Sequence, residues 1–350
     1  MKRILIIKPS SMGDVLHTFP AVNGLKQVFP GVEIDWVIHP AFEELLDYLP
    51  LDGRKILFRR KELGNIKTFF SEFKMLKQEL RKESYDAVLD LQGLFRSAIL
   101  GVLTGCPRRF GPAEAREYPA KFCYTHTLPW KKETRHALEK NCDMVSAFLN
   151  GREISAHYTL PPVEKFVKNV NRILEQESVP VQSGFLAMAP GARWVTKQWD
   201  RSCFAECAEI LYKKMPSCHF LLLGSPSEKE LCTGIAKDLA GKVPCTDLCA
   251  KTSMGELLEI IRRAGVLICN DSGPMHAAAC AGTPAAAFFA PTDPVLTGPY
   301  SEKSIVLRPE LDCLNCFRRQ CPSGECRRAV SPGKMAAAVL ELLQQERKNL

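Results

Sequence analysis

The sequence has 350 residues, of which 46% are hydrophobic and 25% are charged. These proportions are typical of a globular protein and exclude a disordered or collagen-like chain. The length suits two α/β domains. The longest weakly polar run, from Ala277 to Ala290, is interrupted by Gly282 and Pro284 and is too short to cross a bilayer.

The amino terminus predicts a first strand at Arg3–Ile7. Its apolar run is only Ile4–Ile7, after which Lys8 and Pro9 follow, so it does not resemble a signal peptide. Most of the fifteen cysteines lie singly in apolar stretches, which is typical of free thiols in a reducing compartment. We therefore expect a soluble cytoplasmic protein.

Helical and strand patterns alternate along both halves, which predicts parallel sheets flanked by helices. In the first half the predicted strands are Arg3–Ile7, Glu33–Ile38 and Asp86–Leu91, and the predicted helices are Val15–Val28, Lys67–Arg81, Leu94–Thr104 and Thr134–Leu149. In the second half the predicted strands are Phe185–Ala189, His219–Leu223, Val266–Cys269 and Ala285–Phe289.

A polar, proline-bearing stretch at 155–162 interrupts this rhythm and predicts the domain boundary. We expect doubly wound Rossmann-like domains at 1–160 and 161–330, facing a central cleft. Residues 331–350 would form a helix that packs back on the first domain. Ligands of such sheets bind beyond the carboxyl ends of the strands, so functional residues should directly follow strands.

The net charge of +8 is unevenly distributed. Ten Lys and Arg residues face three Glu residues between Arg54 and Lys82, a local surplus of +7. This surplus indicates either a solvated helical face or a binding surface for anionic lipid, sugar phosphate or nucleic acid. The neighbouring residues lack the aromatic pattern of single-strand binders, which disfavours nucleic acid.

A polar turn follows the first strand, with the sequence Lys8-Pro-Ser-Ser-Met-Gly-Asp14. Ser11 and Gly13 would form a tight turn that starts a helix. Asp14 could cap that helix. It could equally act as a general base on an acceptor hydroxyl, because it follows a strand at the expected ligand edge.

Three loops of the second half could bind a nucleotide diphosphate. Asp271, Ser272 and Gly273 open a helix whose free amides suit a phosphate, and His276 lies one turn on; the alternative is a simple helix cap. Thr196 and Lys197 offer a hydroxyl donor and a positive charge. Glu228 follows another strand and could bind ribose hydroxyls.

Four cysteines near the carboxyl end, Cys313, Cys316, Cys321 and Cys326, lie within fourteen residues. Four thiols at this spacing could converge on zinc. The gaps of two, four and four residues are not those of a standard zinc finger. Redox-labile thiols and free packing cysteines are the alternatives, and elsewhere the sequence has no metal-ligand cluster.

The sequence resembles the heptosyltransferases of glycosyltransferase family 9, which have a GT-B fold. The resemblance is strongest at Lys8–Pro20, Asp271–His276 and Pro291–Pro294. In the first half, Asp90–Ala98, Arg116-Glu117 and His136–Glu139 are most similar to the type I enzymes, whereas the cysteine tail is more similar to type II.

The resemblance implies inverting, metal-independent transfer of heptose from ADP-L-glycero-β-D-manno-heptose to the inner-core Kdo of lipopolysaccharide, without a cofactor, at the inner membrane face. Asp14 matches the proposed catalytic base of these enzymes. The matching donor residues are Thr196, Lys197, Glu228, Asp271, Ser272, Gly273 and His276. The residues assigned to a Kdo-lipid A acceptor are Ser11, Gly13, Arg59, Arg60, Lys61 and Arg116.

Three alternatives stay open at this point. The acceptor could be a prior heptose, as for the type II enzymes. A nucleotide-sugar epimerase or hydrolase would share the diphosphate site but need no basic acceptor patch. A binding protein without turnover would bind ADP, and its properties would not depend on Asp14.

Overall fold

The structure is a computed structural model that describes residues 1–180, 182 and 184–348. The chain divides into two compact units, Met1–Tyr158 and Thr159–Leu350. The observed boundary thus lies close to the predicted one, inside the proline-bearing stretch that carries no regular secondary structure.

The first unit contains a six-stranded sheet in which each pair of neighbours is parallel. The strand order is β3-β2-β1-β4-β5-β6. Its central strands are buried along nearly their whole length, as in a sheet covered on both faces. The strands are β1 Arg3–Ile7, β2 Glu33–Ile38, β3 Lys55–Leu57, β4 Ala87–Asp90, β5 Arg109–Pro112 and β6 His126–Leu128.

The first predicted helix is broken in two, since Pro20 at the second position of the later helix lacks an N–H and crowds the preceding turn. The fourth predicted helix begins later, at Ala137, where the His136 side chain accepts from the Leu138 amide at 3.2 Å. The helices of this unit are α1 Met12–Leu16, α2 Phe19–Val28, α3 Arg60–Leu63, α4 Phe69–Arg81, α5 Phe95–Leu103 and α6 Ala137–Phe148, with 3₁₀ helices at Pro40–Tyr48 and Tyr118–Cys123.

The second unit repeats this architecture with a parallel six-stranded sheet of order β12-β11-β10-β7-β8-β9. Its strands are β7 Phe185–Ala189, β8 His219–Leu222, β9 Cys245–Asp247, β10 Leu267–Asn270, β11 Ala285–Phe288 and β12 Ser304–Leu307. Its helices are α7 Glu164–Gln176, α8 Arg201–Lys214, α9 Lys229–Leu239, α10 Met254–Arg263, α11 Gly273–Ala281, α12 Pro294–Thr297, α13 Cys326–Ala329 and α14 Pro332–Lys348, with 3₁₀ helices at Val195–Lys197 and Pro226–Glu228.

Both sheets have the doubly wound strand order of a Rossmann fold, which confirms the predicted α/β class. In each sheet the order reverses between two neighbouring strands: β1 and β4 in the first unit, β7 and β10 in the second. Loops that leave the carboxyl ends of such a strand pair run to opposite sides and leave a crevice for a ligand. These two places are therefore where the functional residues should lie.

Helix α14 packs within the second unit, against α8 and the strands β11 and β12. Its apolar face is buried in the core of that unit together with Phe204 and Leu211 of α8. The sequence predicts that this helix packs on the first domain. Its side chains Met335, Val339 and Leu342 instead complete the apolar layer over the sheet of the second unit. Among the described residues, no helix is long and apolar enough to cross a membrane.

Candidate active site

Asp14 lies in the first turn of α1, directly beyond β1 of the first unit. Its Oδ2 accepts from the backbone amide of Ser11 at 2.8 Å and from the Ser11 hydroxyl at 2.9 Å. This arrangement is a capping box, with Ser11 at the N-cap and Asp14 three residues on. Asp14 is half-buried, so the cap fixes a carboxylate that solvent still reaches.

Beside Asp14, the loops after β1 and β4 are joined by buried polar contacts. The Lys8 ammonium donates to the carbonyl of Leu91 at 2.5 Å. Burial lowers the pKa of Lys8, whereas the nearby Asp14 and Asp90 raise it. Lys8 therefore fixes the β1 loop against the β4 loop and places a cation near Asp14.

Asp90 has a structural role at the end of β4. Its carboxylate accepts from the Ser97 and Tyr124 hydroxyls, both at 2.8 Å, and from the Gln92 amide at 2.9 Å. Burial raises the pKa of Asp90, and these hydrogen bonds counteract that rise. The network holds the loop that leads into α5.

A small pocket opens at the carboxyl edge of the first sheet. It is lined by residues that follow four different strands, namely Pro9, Ser10, His39, Phe58, Arg60, Gln92, Arg96 and Ser97. Burial lowers the pKa of His39; Glu62 raises it, and Lys61 and Arg60 lower it. The guanidinium groups of Arg60 and Arg96 border this pocket. Their positive charges suit an anionic group.

The basic surplus of the first unit is smaller than the sequence indicated. Asp35 and Asp47, which lie outside the counted range, pair with Arg54 at 3.0 Å and with Lys55 at 2.5 Å. Within the range, Arg59 pairs with Glu72 at 3.3 Å. The predicted acceptor residues Lys61 and Arg116 are exposed, as is Arg60 at the rim of the pocket. Arg60 thus lies at the rim of the pocket, whereas Arg59 forms an ion pair within the unit.

In the second unit, the loops after β7, β10 and β11 meet in one ion pair. The Lys197 ammonium lies 2.6 Å from Oδ2 of Asp271, and the Thr292 hydroxyl donates to the same oxygen. The Asp271 side chain is only 4% exposed and that of Lys197 17%. Lys197 also lies 4.8 Å from the centre of the Trp194 ring. Asp271 thus fixes the position of Lys197 at the sheet edge.

Thr196 differs from the prediction of a phosphate donor. Its hydroxyl donates to the carbonyl of Arg318 at 2.6 Å, and the residue is buried. The physical reason is that the cysteine-bearing segment after β12 covers this side of the loop. In this structure Thr196 holds two loops together.

Asn270 is a site residue that sequence reasoning did not select. Its side-chain oxygen accepts from the Trp199 amide at 2.9 Å, and its side-chain nitrogen donates to the Pro190 carbonyl at 2.7 Å. Asn270 is fully buried at the end of β10. It therefore ties both ends of the 190–199 loop to the end of β10. Its position directly before Asp271 was the available signal.

Helix α11 begins at the same edge, with Ser272 at its N-cap and Pro274 in its first turn. The Ser272 side chain does not cap the helix but donates to the Asn270 carbonyl at 3.2 Å. The first amides of a helix lack partners within the helix and carry partial positive charge. Gly273 and the buried His276 thus lie in a first turn suited to an anion.

Glu228 reaches the same set of loops from β8. Its Oε2 accepts from the Ser225 amide at 2.6 Å and from the Ser225 hydroxyl at 2.8 Å. Its Oε1 lies so close to Gly191 that a Cβ atom on Gly191 would come within 1.7 Å of it. Only a glycine at 191 lets this carboxylate lie over the β7 loop.

Together these contacts bring a lysine, an uncapped helix start and a carboxylate to one edge of a Rossmann-type sheet. A diphosphate fits the lysine and helix start, and a ribose fits the carboxylate. Two such α/β units, one with this site and one with a half-buried carboxylate after its first strand, have the architecture of a glycosyltransferase of the GT-B type.

The profile of glycosyltransferase family 9 (heptosyltransferase) matches residues 73–326. The chain belongs to this family. It is 29% identical over 327 residues to lipopolysaccharide heptosyltransferase 1 of Pseudomonas aeruginosa, covering 91% of this chain and 87% of that protein. It is 26% identical over 355 aligned positions to lipooligosaccharide heptosyltransferase 2 of Campylobacter jejuni, covering 98% of each.

Solved structures agree on the fold. The E. coli ADP-heptose lipopolysaccharide heptosyltransferase II superimposes with a TM-score of 0.80 at 22% identity, covering 99% of this chain and 100% of that one. An E. coli heptosyltransferase solved with ADP gives 0.79 at 24% identity, covering 97% and 99%. The predicted family, fold class and enzyme class are thereby confirmed.

Replacing Asn270 by Ala should lower the free energy of unfolding by about 2–6 kcal/mol, because two buried backbone groups lose their partners at about 1–3 kcal/mol each. The measurement is chemical denaturation. The control is Asn171→Ala, since Asn171 is exposed and accepts from Arg263 at the surface. Equal losses in the two variants would contradict the role assigned to Asn270.

Proposed function

We propose that the chain transfers heptose from ADP-L-glycero-β-D-manno-heptose to the inner-core Kdo of lipopolysaccharide, with inversion at the anomeric carbon. The observation that carries the proposal is the joint placement of Lys197, the α11 start and Glu228 at one sheet edge. The named activities of the family relatives support the same donor and acceptor classes.

In the second unit, the proposed donor site binds ADP through its diphosphate and ribose. Charge grows on the diphosphate as the glycosidic bond breaks. Lys197, His276 and the helix start at Ser272 and Gly273 stabilise that charge, because they are held in place before the reaction. Asp271 acts through Lys197, and Glu228 accepts from the ribose hydroxyls.

In the first unit, Asp14 is the proposed general base. It takes the proton of the acceptor hydroxyl while that oxygen forms a bond to the anomeric carbon, on the face opposite the diphosphate. The bond between that carbon and the diphosphate oxygen breaks, its electron pair leaves with ADP, and the sugar configuration inverts. Ser11 and Gly13 set the turn that holds Asp14 in place.

The type I acceptor is favoured by the similarity to heptosyltransferase 1 proteins of two organisms. A type II enzyme, acting on a prior heptose, is the second candidate because the Campylobacter jejuni match covers 98% of both chains. An epimerase or hydrolase would consume the donor alone. Incubation with ADP-heptose and either Kdo₂-lipid A or its monoheptosylated form, followed by mass spectrometry, distinguishes these outcomes.

Asp14→Asn should lower kcat by about 10²-fold or more, the usual contribution of a general base, while ADP affinity is unchanged. The matched control is Glu256→Gln, because Glu256 holds the same capping-box position in α10. Glu256→Gln changes a capping carboxylate of α10 but removes no proposed base. If both variants lose activity equally, or Asp14→Asn retains full turnover, Asp14 is not the base.

The acceptor is anchored in lipid, and the first unit has a surface suited to a membrane interface. Large apolar side chains are exposed next to lysines there: Ile66 is 86% and Phe70 78% exposed, and Lys67 and Lys74 are exposed as well. Anionic lipid attracts such lysines, and aromatic side chains enter the headgroup region. We therefore place peripheral membrane contact at Ile66–Met75, with Arg60, Lys61 and Arg116 contacting acceptor anions.

Two variants separate these roles in one kinetic experiment. Arg60→Ala should raise the acceptor KM roughly tenfold for both a deacylated acceptor and the same acceptor in anionic vesicles, since about 1.4 kcal/mol of binding is lost. Phe70→Ser should raise KM only for the vesicle form. Each variant controls for the other. A Phe70→Ser effect on the deacylated acceptor, or none on vesicles, contradicts the membrane assignment.

A further inference from the structure

The cysteines of this chain fall into two groups. Ten are buried, and Cys245 is partly buried in β9. The remaining four lie between β12 and α14: Cys313 and Cys316 are exposed, and Cys321 and Cys326 are partly exposed. Exposed thiols contribute nothing to apolar packing, so the packing interpretation does not account for Cys313 and Cys316.

The segment that carries these four cysteines has no core of its own. Every residue from 310 to 329 is exposed or partly exposed, and its only regular element is the four-residue helix α13. A stretch of this length cannot offset its conformational entropy by apolar burial. Segments without a core are usually held by a disulfide or a metal ion.

The backbone of the segment nevertheless forms tight turns around the cysteines. Asn315 and Phe317, on either side of Cys316, have φ of 57° and 52°, and Gly324 has φ of 59°. A left-handed conformation is costly for non-glycine residues. The hydroxyl of Ser323 lies 3.6 Å from the sulfur of Cys321, within hydrogen-bonding distance of a thiol.

The same segment supports the loops of the donor site. The Phe317 amide donates to the Pro291 carbonyl at 2.8 Å, and the Arg318 carbonyl accepts from the Thr196 hydroxyl at 2.6 Å. The Arg319 guanidinium lies 5.2 Å from the centre of the Trp194 ring. Whatever orders the cysteine segment therefore also orders the loop that carries Lys197.

We propose that Cys313, Cys316, Cys321 and Cys326 together bind one zinc ion, which fastens this segment against the donor loops. Four thiolates are a closed, tetrahedral ligand set for zinc and leave no open position for catalysis. Binding requires the cysteine side chains to rotate inward, since no three of the four sulfurs lie within 4.8 Å of one another. Each thiol loses its proton as it binds.

A second group of possible ligands, Cys232, Asp247 and Cys249, is less suited to a metal although its ligand atoms lie within 4.8 Å of one another. The Cys249 thiol donates to the Ser225 carbonyl at 3.2 Å. Oδ1 of Asp247 accepts from the Cys249 amide at 2.9 Å. The Cys249 thiol and the Asp247 carboxylate are thus already hydrogen-bonded to backbone groups.

The test is elemental analysis of the full chain purified without chelator or affinity metal. We expect about one zinc per chain, and almost none in the double variant Cys316→Ser/Cys321→Ser. The control, Cys245→Ser, should retain the zinc. Zinc retained by the double variant, iron in place of zinc, or four thiols protected as two disulfides in a thiol titration would each overturn the proposal.

A second measurement covers the case in which the double variant does not fold. A strong chelator added to the wild-type chain should leave the far-ultraviolet circular dichroism nearly unchanged but speed amide exchange at 308–330 and at 191–199. Added zinc should reverse the change. Unchanged exchange after zinc is removed would also overturn the proposal. Neither readout depends on the donor or the acceptor, so failure here is distinguishable from failure of the proposed transfer activity.

Discussion

The proposed donor site depends on the ion pair between Lys197 and Asp271. Removing a carboxylate from water is costly, and Asp271 offsets that cost with an ammonium at 2.6 Å and the Thr292 hydroxyl. Three loops are thereby fixed to one oxygen atom. Because the lysine charge is partly neutralised by this pair, the attraction for a diphosphate depends strongly on the amides at the start of α11.

The two units place their polar residues at corresponding positions of the fold. In each, the first strand and the fourth strand lie side by side where the strand order reverses, and the polar residues follow those two strands. The first unit has Lys8 and Asp14 after β1 and Asp90 at the end of β4. The second has Lys197 after β7 and Asp271 after β10. In both, a lysine from the earlier loop lies near a carboxylate from the later one.

Much of the fold could be predicted from the sequence, because long apolar strands and the motifs at their ends are local signals. The bounds of β1 and β2 agree with the prediction. Strands such as β3 and β9 were not predicted, since three residues carry too little periodicity. The helix breaks before Pro20 because proline lacks an N–H and crowds the preceding turn. The apolar periodicity of this segment nevertheless predicted one continuous helix.

The site was harder to predict where roles depend on distant partners. The hydroxyl of Thr196 bonds a carbonyl 122 positions later, and Asn270 bonds residues some 70 to 80 positions earlier. The basic surplus was overestimated because Asp35, the partner of Arg54, lies outside the counted window. Asp14 is within a capping box, yet that fact does not decide between a cap and a base.

The carboxyl edge of the second sheet is the proposed binding site for the diphosphate and ribose of the donor. Amide hydrogen exchange with and without saturating ADP tests it most directly. We expect slower exchange at 191–199, 225–228 and 271–276 when ADP is bound, with no change in the 3₁₀ helix Pro40–Tyr48. ADP binding, established by calorimetry, that leaves those three segments unprotected would contradict it.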